Sequence, residues 1–155
     1  MPTYESLGKI LVVIPTYNEK ENVEAITRAV LDVDADTEVL IVDDNSPDGT
    51  AAAVQRMMES NPRIHLLQRP GKMGLGTAYV AGFRYAIEHG IDVVCEMDAD
   101  FSHNPDDIPR LLEASREQGA DLVLGSRYCN GIRVINWPLN RLILSMGAGL
   151  YVRTI

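Results

Sequence analysis

The chain has 155 residues, 46% of them hydrophobic and 23% charged, and a net charge of −8. This length fits one domain with a real apolar core, and the acidic balance excludes nucleic acid as a partner because no basic stripe is present to neutralise phosphates. The two cysteines lack zinc-ligand spacing, no secretory signal is present and no run approaches membrane-spanning length, so a reduced, cytosolic setting is expected.

Taken in order, Lys9 to Ile14 is a β-branched, apolar run closed by Pro15, and it predicts the first strand. Asn18 with Glu21 three residues later has the form of a capping box, and Val23, Ile26, Val30 and Leu31 give helical spacing after it. The loop from Pro15 to Glu19 therefore lies at the carboxyl end of a strand, where Tyr17 and Glu19 could hold a base or ribose, or simply turn the chain. Glu38 to Val42 predicts a second strand running into Asp43-Asp44-Asn45-Ser46-Pro47-Asp48-Gly49-Thr50. Neighbours on a strand face opposite ways, so Asp43 and Asp44 should do different jobs. Ser46-Pro47 fits a cap followed by a first helical position, and Asp48-Gly49 is the alternative turn. This acidic loop cannot cradle phosphates directly, but a carboxylate in it could accept a hydrogen bond from a base or ribose.

Arg63 to Gln68 predicts a third strand, followed by the Gly-rich, cationic Arg69-Pro70-Gly71-Lys72-Met73-Gly74-Leu75-Gly76 and a helix from about Thr77 to His89. The segment is neither a P-loop nor a dinucleotide fingerprint. Its two cations could meet a diphosphate, or the loop could be flexible and solvated. The next run, Ile91 to Met97, predicts an internal strand covered on both faces and ending in Asp98-Ala99-Asp100. Alternation lets Asp98 and Asp100 point the same way with Ala99 between them. Two such carboxylates are tolerable around a divalent cation, and oxygen donors suit Mg2+ or Mn2+. In open α/β sheets ligands bind at the carboxyl ends of strands, so this is a candidate metal–phosphate site; the alternative is a polar turn in which Asp100 or Ser102 caps the next helix. His103 is within reach of such a site, although a lone loop histidine usually has a structural role. A helix with Ile108, Leu111, Leu112 and Ala114 closes at Gln118-Gly119, and Asp121 to Gly125 predicts a fifth strand that places Arg127 on the same rim. From Trp137, the residues Leu139, Leu142, Ile143, Met146, Leu150 and Tyr151 mark an amphipathic helix that runs to the last residue, so the chain reads as a fragment.

Strands alternating with helices predict a mostly parallel, doubly wound α/β sheet with flanking helices. The ordered set Val13-Ile14-Pro15-Thr16-Tyr17-Asn18-Glu19, Val42 to Thr50, Met97-Asp98-Ala99-Asp100, Gly125-Ser126-Arg127-Tyr128 and Asn136-Trp137-Pro138 resembles family-2 glycosyltransferases with a GT-A fold, in particular the polyprenol (dolichol) phosphate mannosyltransferases.

The resemblance implies that residues 1–155 are a single GT-A-like catalytic domain lacking its acceptor-side part. It implies inverting transfer of mannose from GDP-mannose to a polyprenyl phosphate, with Mg2+ or Mn2+ as cofactor. Carried over by motif, Pro15, Tyr17, Glu19, Val42 and Asp44 would contact the nucleoside, Asp98, Ala99 and Asp100 the metal and diphosphate, and Arg127 and Arg141 the donor or acceptor phosphate. Asp100, Arg127 and Arg141 would act in catalysis. Where family members often have Gln, this chain has Ser102, which would reach the metal through a water. A lipid acceptor implies peripheral contact with the cytoplasmic face of a membrane. Two alternatives stay open: a family-2 transferase using another sugar nucleotide, such as UDP-glucose, or a saccharide acceptor; and a catalytically silent nucleotide-binding module. The sequence does not set the oligomeric state.

Overall fold

The computed structural model describes residues 7–126, 143–145 and 147–148. The chain divides into two compact units, residues 1–123 and 124–155. In the first unit the order is β1 (Ile10–Thr16), α1 (Val23–Leu31), β2 (Thr37–Asp43), α2 (Thr50–Met58), β3 (Ile64–Gln68), α3 (Leu75–Glu88), β4 (Val93–Glu96), a 3-10 turn (Pro105–Asp107) and α4 (Ile108–Gln118).

The strands form a four-stranded sheet in the order β3-β2-β1-β4, with every neighbouring pair parallel. Parallel pairing brings the loops that follow β1, β2 and β4 to one edge of the sheet. The period of two is visible in β1: Ile10, Val12 and Ile14 pack with α1, α2 and α4, while Leu11 and Val13 pack on the side of α3. Both sets are buried, as expected for a strand with helices on both faces. On the α3 side the backbones come close. A Cβ on Gly82 would lie 2.5 Å from Cγ1 of Val13, so glycine at 82 is what allows α3 to lie this near to β1.

Three sequence expectations change and one open alternative is resolved. The run from Ile91 was read as an internal strand, but β4 lies at the edge of the sheet and its residues are half-buried to exposed. The expected fifth strand, Asp121 to Gly125, is not a strand; Leu122 and Leu124 are 75% and 77% exposed. An apolar run becomes a strand only where a neighbour supplies ladder hydrogen bonds, and among the described residues none pairs with this one. Asn18 does not cap α1. It adopts a left-handed backbone conformation at φ 62, and the helix starts later, from Asn22, after Glu19 O accepts from Asn22 N and Val23 N. Between the two turn readings for α2, Asp48-Gly49 is the one observed: Gly49 precedes the helix at φ 91, and Asp48 Oδ1 accepts from Thr50 N at 2.9 Å. The helix after Gly74 and the stop at Gly119, which has φ 59, are as expected. In the second unit, residues 143–145 and 147–148 are helical, within the segment expected to be so, and the rest of that segment lies outside the described residues.

Candidate functional site

The carboxyl-end edge is built from two neighbouring parts. The first is a wall made by the β1 and β2 loops. Asp43, fully buried, accepts from Thr16 Oγ1 at 3.0 Å, Ser46 N at 3.0 Å and Ser46 Oγ at 2.6 Å. Three successive amides of the β1 loop then donate into the β2 loop: Asn18 N to Ser46 Oγ at 3.0 Å, Glu19 N to Thr50 Oγ1 at 3.1 Å and Lys20 N to Asp48 Oδ2 at 3.0 Å. Burial works to raise the Asp48 carboxyl, but the Thr50 hydroxyl and the amides of Lys20 and Thr50 outweigh it and hold it below the ordinary range. Glu19 also accepts from Asn22 Nδ2 at 2.9 Å.

Asp44 faces away from these contacts, as the alternation of the strand requires. It forms a buried ion pair with Arg69 and accepts from Met73 N at 3.1 Å. Tyr17 is 38% exposed, with Lys72 Nζ 4.5 Å from the centre of its ring. Pro15 is half-buried. The Val42 side chain is fully buried in the α3-side core, so any ligand contact by this residue is through its backbone.

The second part is the turn after β4. Strand alternation persists beyond the ladder: Met97 and Ala99 point into the core at 4% exposure, Asp98 is half-buried and Asp100 exposed. Ala99 can therefore offer a ligand only its backbone. Asp98 Oδ1 accepts from the Tyr79 hydroxyl at 3.3 Å. Burial, then the charges of Asp98 and Glu96, push that hydroxyl far above its ordinary range, so it stays protonated and remains a donor. Asp98 N donates to His103 Nδ1 at 3.2 Å, which leaves the ring proton on Nε2, 3.9 Å from Asp98 Oδ2. Asp100 Oδ1 accepts from Ser102 N at 2.9 Å. That amide first, then the Ser102 hydroxyl, hold the Asp100 carboxyl below its ordinary range against burial, with His103 assisting. Phe101, between them, has φ 60. The helix beyond is capped by neither Asp100 nor Ser102: Asn104 Oδ1 accepts from Asp106 N at 3.2 Å and starts the 3-10 turn.

The donor set of this turn fits a small, hard divalent cation. Asp98 and Asp100 offer carboxylate oxygens at an accessible rim. Mg2+ in particular is usually held by one or two carboxylates plus substrate phosphates, not by an all-protein cage. In keeping with that, no group of three or more His, Cys, Asp or Glu is gathered for a metal among the described residues. Arg127 and Arg141, and the Asn136-Trp137-Pro138 segment, lie outside the described residues.

Two features escaped the sequence. The Asp44–Arg69 pair joins residues 25 apart, a contact for which periodicity carries no signal. The bond from Asp98 N to His103 could have been suspected from the histidine five positions on, in a turn too short to take its side chain far away.

A parallel α/β sheet with hydrogen-bonded β1 and β2 loops beside an Asp-x-Asp turn at its carboxyl edge has the layout of the GT-A class of fold. The fold comparison agrees: the S. aureus TarS 1-349 crystal structure superposes with a TM-score of 0.60 at 23% identity, over 83% of this chain and 38% of that one. The glycosyl transferase family 2 model matches residues 11–153, and the chain belongs to that family. Among curated relatives, it is 47% identical over 145 residues to a protein named undecaprenyl-phosphate mannosyltransferase from Micrococcus luteus, covering 94% of this chain and 59% of the relative. It is also 47% identical over 152 residues to the polyprenol monophosphomannose synthase of Mycolicibacterium smegmatis, covering 97% of this chain and 57% of that one. The chain thus spans somewhat over half the length of these two relatives.

Proposed function

We propose that residues 1–155 serve as a GT-A-type catalytic domain of an inverting, metal-dependent transferase that moves mannose from GDP-mannose to a polyprenyl phosphate. The observation that carries this reading is the 47% identity to the Micrococcus luteus polyprenyl-phosphate mannosyltransferase over 94% of this chain. In the reaction the bond from the anomeric carbon to the diphosphate oxygen breaks, and an oxygen of the acceptor phosphate bonds the same carbon from the opposite face. The acceptor phosphate is already ionised near neutral pH, so no side chain has to take a proton from it.

The work left to the protein is positioning and electrostatics. Tyr17, Glu19 and Asp44, with Pro15 and the backbone of Val42, hold the nucleoside against the laced wall. Asp98 and Asp100 take the cation, with Ser102 close enough to reach it through a water. Mg2+ or Mn2+ there supplies Lewis-acid neutralisation of charge on the departing diphosphate. Arg127 and Arg141 meet phosphate oxygens, for which a guanidinium fork is suited. A lipid acceptor would bring the protein to a membrane surface, on this reading by peripheral contact at its cytoplasmic face.

The test is calorimetric titration with GDP-mannose, GDP and UDP-glucose, with and without Mn2+. Binding of the guanine ligands that depends on the metal is expected. Preference for the uridine ligand would move the assignment to another family-2 donor. Absence of all binding would overturn the reading.

A further inference from the structure

We propose that Arg69 is a positioning residue for nucleobase discrimination, acting through Asp44. This rests on the placement of the nucleoside against Asp44 given above. The side chains of Arg69 and Asp44 are each 8% exposed. Every nitrogen of the guanidinium is used: Nε on Asp44 Oδ1 at 2.5 Å, Nη1 on Thr77 Oγ1 at 2.7 Å and Nη2 on Gly74 O at 3.2 Å. The backbone of the same segment completes the grip, with Arg69 N donating to Asp43 O at 2.8 Å and Met73 N to Asp44 Oδ2 at 3.1 Å. Oδ1 of Asp44 is thus met by both Nε and Nη2 of Arg69 and Oδ2 by the amide of Met73, so both oxygens are held by residues 69–73.

A carboxylate has about four lone-pair directions, so about one remains, on Oδ2. Arg69 and Met73 fix where it points. An aspartate on a strand end that was free to rotate would accept from any base edge presented to it. One held from both oxygens accepts only from donors placed to match, which is the condition for telling one base from another by hydrogen bonding. A purely stabilising role explains the pair less well, because buried ion pairs are seldom more favourable than apolar packing of the same volume. This pair also sits at the carboxyl edge of the sheet, not in the middle of the core. The same segment braces the other exposed member of the wall, since Lys72 lies over the Tyr17 ring. The Gly-rich stretch after β3 therefore belongs to the nucleoside wall. Arg69, one of the two cations that could meet a diphosphate, instead turns all three guanidinium nitrogens to Asp44, Thr77 and Gly74.

The experiment compares GDP and UDP affinity at saturating Mn2+, by calorimetry, for the wild-type protein and for Arg69→Met, Arg69→Lys and Thr77→Val. Mn2+ affinity without nucleotide is read separately by electron paramagnetic resonance. Arg69→Met is expected to weaken the preferred nucleotide roughly 10- to 100-fold, the loss of one charge-assisted hydrogen bond. The ratio between the two nucleotides should fall toward one while Mn2+ affinity holds. Arg69→Lys should restore part of the ratio, and Thr77→Val, which frees one arm of the guanidinium, should lower it less. If Arg69→Met lacks a native near-ultraviolet spectrum, the other two variants decide. An unchanged ratio in folded variants, or equal losses for both nucleotides, overturns the inference and leaves the functional reading intact. A wild-type protein that prefers UDP corrects the donor, and a collapse of that preference in the variants still supports the role of Arg69. A wild-type protein that binds neither nucleotide overturns both.

Discussion

The β1–β2 wall and the β4 turn lie on the same edge of one sheet and are built by opposite rules. In the wall nearly every polar group is already committed: Asp43 holds Ser46 and Thr16, three amides of the β1 loop end on β2-loop side chains, and Asp44 is gripped by Arg69 and Met73. In the turn, Asp98 has a single hydrogen bond to its carboxylate, at 3.3 Å, and Asp100 lies exposed. The difference teaches that one part is prearranged, whereas the other, on the proposed reading, would be a partial coordination shell that a ligand must complete. Substitutions within the β1–β2 lacing should therefore cost mainly stability, and those in the turn mainly activity.

The largest effect is expected from Asp100→Ala. If Asp100 takes the cation as proposed, its loss should lower sugar transfer by about a thousandfold, several kcal/mol of transition-state stabilisation, with little change in melting temperature. A radiolabelled-mannose transfer assay beside thermal unfolding checks both halves, and undiminished transfer would break the comparison. Asp43→Ala is the converse. It strands Ser46 N and two hydroxyls in a buried place and should cost about 2–4 kcal/mol in urea unfolding. Ser46→Ala removes the donor to Asp43 and the acceptor of Asn18 N, and should cost about 1 kcal/mol in the same measurement.

Asp48→Asn is the smallest and carries a pH signature. The folded value of Asp48 lies below its unfolded value near 3.8, so its contribution is present above that value and is lost as the pH falls through the folded one. The variant should melt about one or two degrees lower at pH 7. The gap should close as the pH is taken below 4; a gap of constant width would remove the carboxylate from the account.

Much of this was legible in the sequence because it is local. β1, β2 and β3 announced themselves as short apolar runs, and α1 by the spacing of Val23, Ile26, Val30 and Leu31, all of which are buried. Alternation separated Asp43 from Asp44, and the two do have different partners. What was not legible depends on neighbours in space. Nothing in the run from Asp121 to Gly125 says whether a strand will be there to receive it, and without that partner β4 also changes from an inner strand to an edge. Asn18 looked like a cap because Ser, Asp and Asn serve turns and caps alike; the hydroxyl of Ser46, 28 residues on, claimed its amide for the turn. The carboxylates of the site were visible as a motif and His103 as a neighbour within reach, but the contacts of Tyr79 and Arg69 that hold two of those carboxylates were not.

Asn18, Asn45 and Phe101 are the only non-glycine residues with positive φ among the described residues, and all three lie in loops at the carboxyl edge. Asparagine accepts that conformation readily, whereas for an aromatic residue it is uncomfortable, on the order of 1 kcal/mol. An engineer seeking heat resistance would begin at Phe101, where glycine would relax the backbone. The same exchange would loosen the turn that carries Asp98 and Asp100, so the position offers a direct measure of how much rigidity that turn requires.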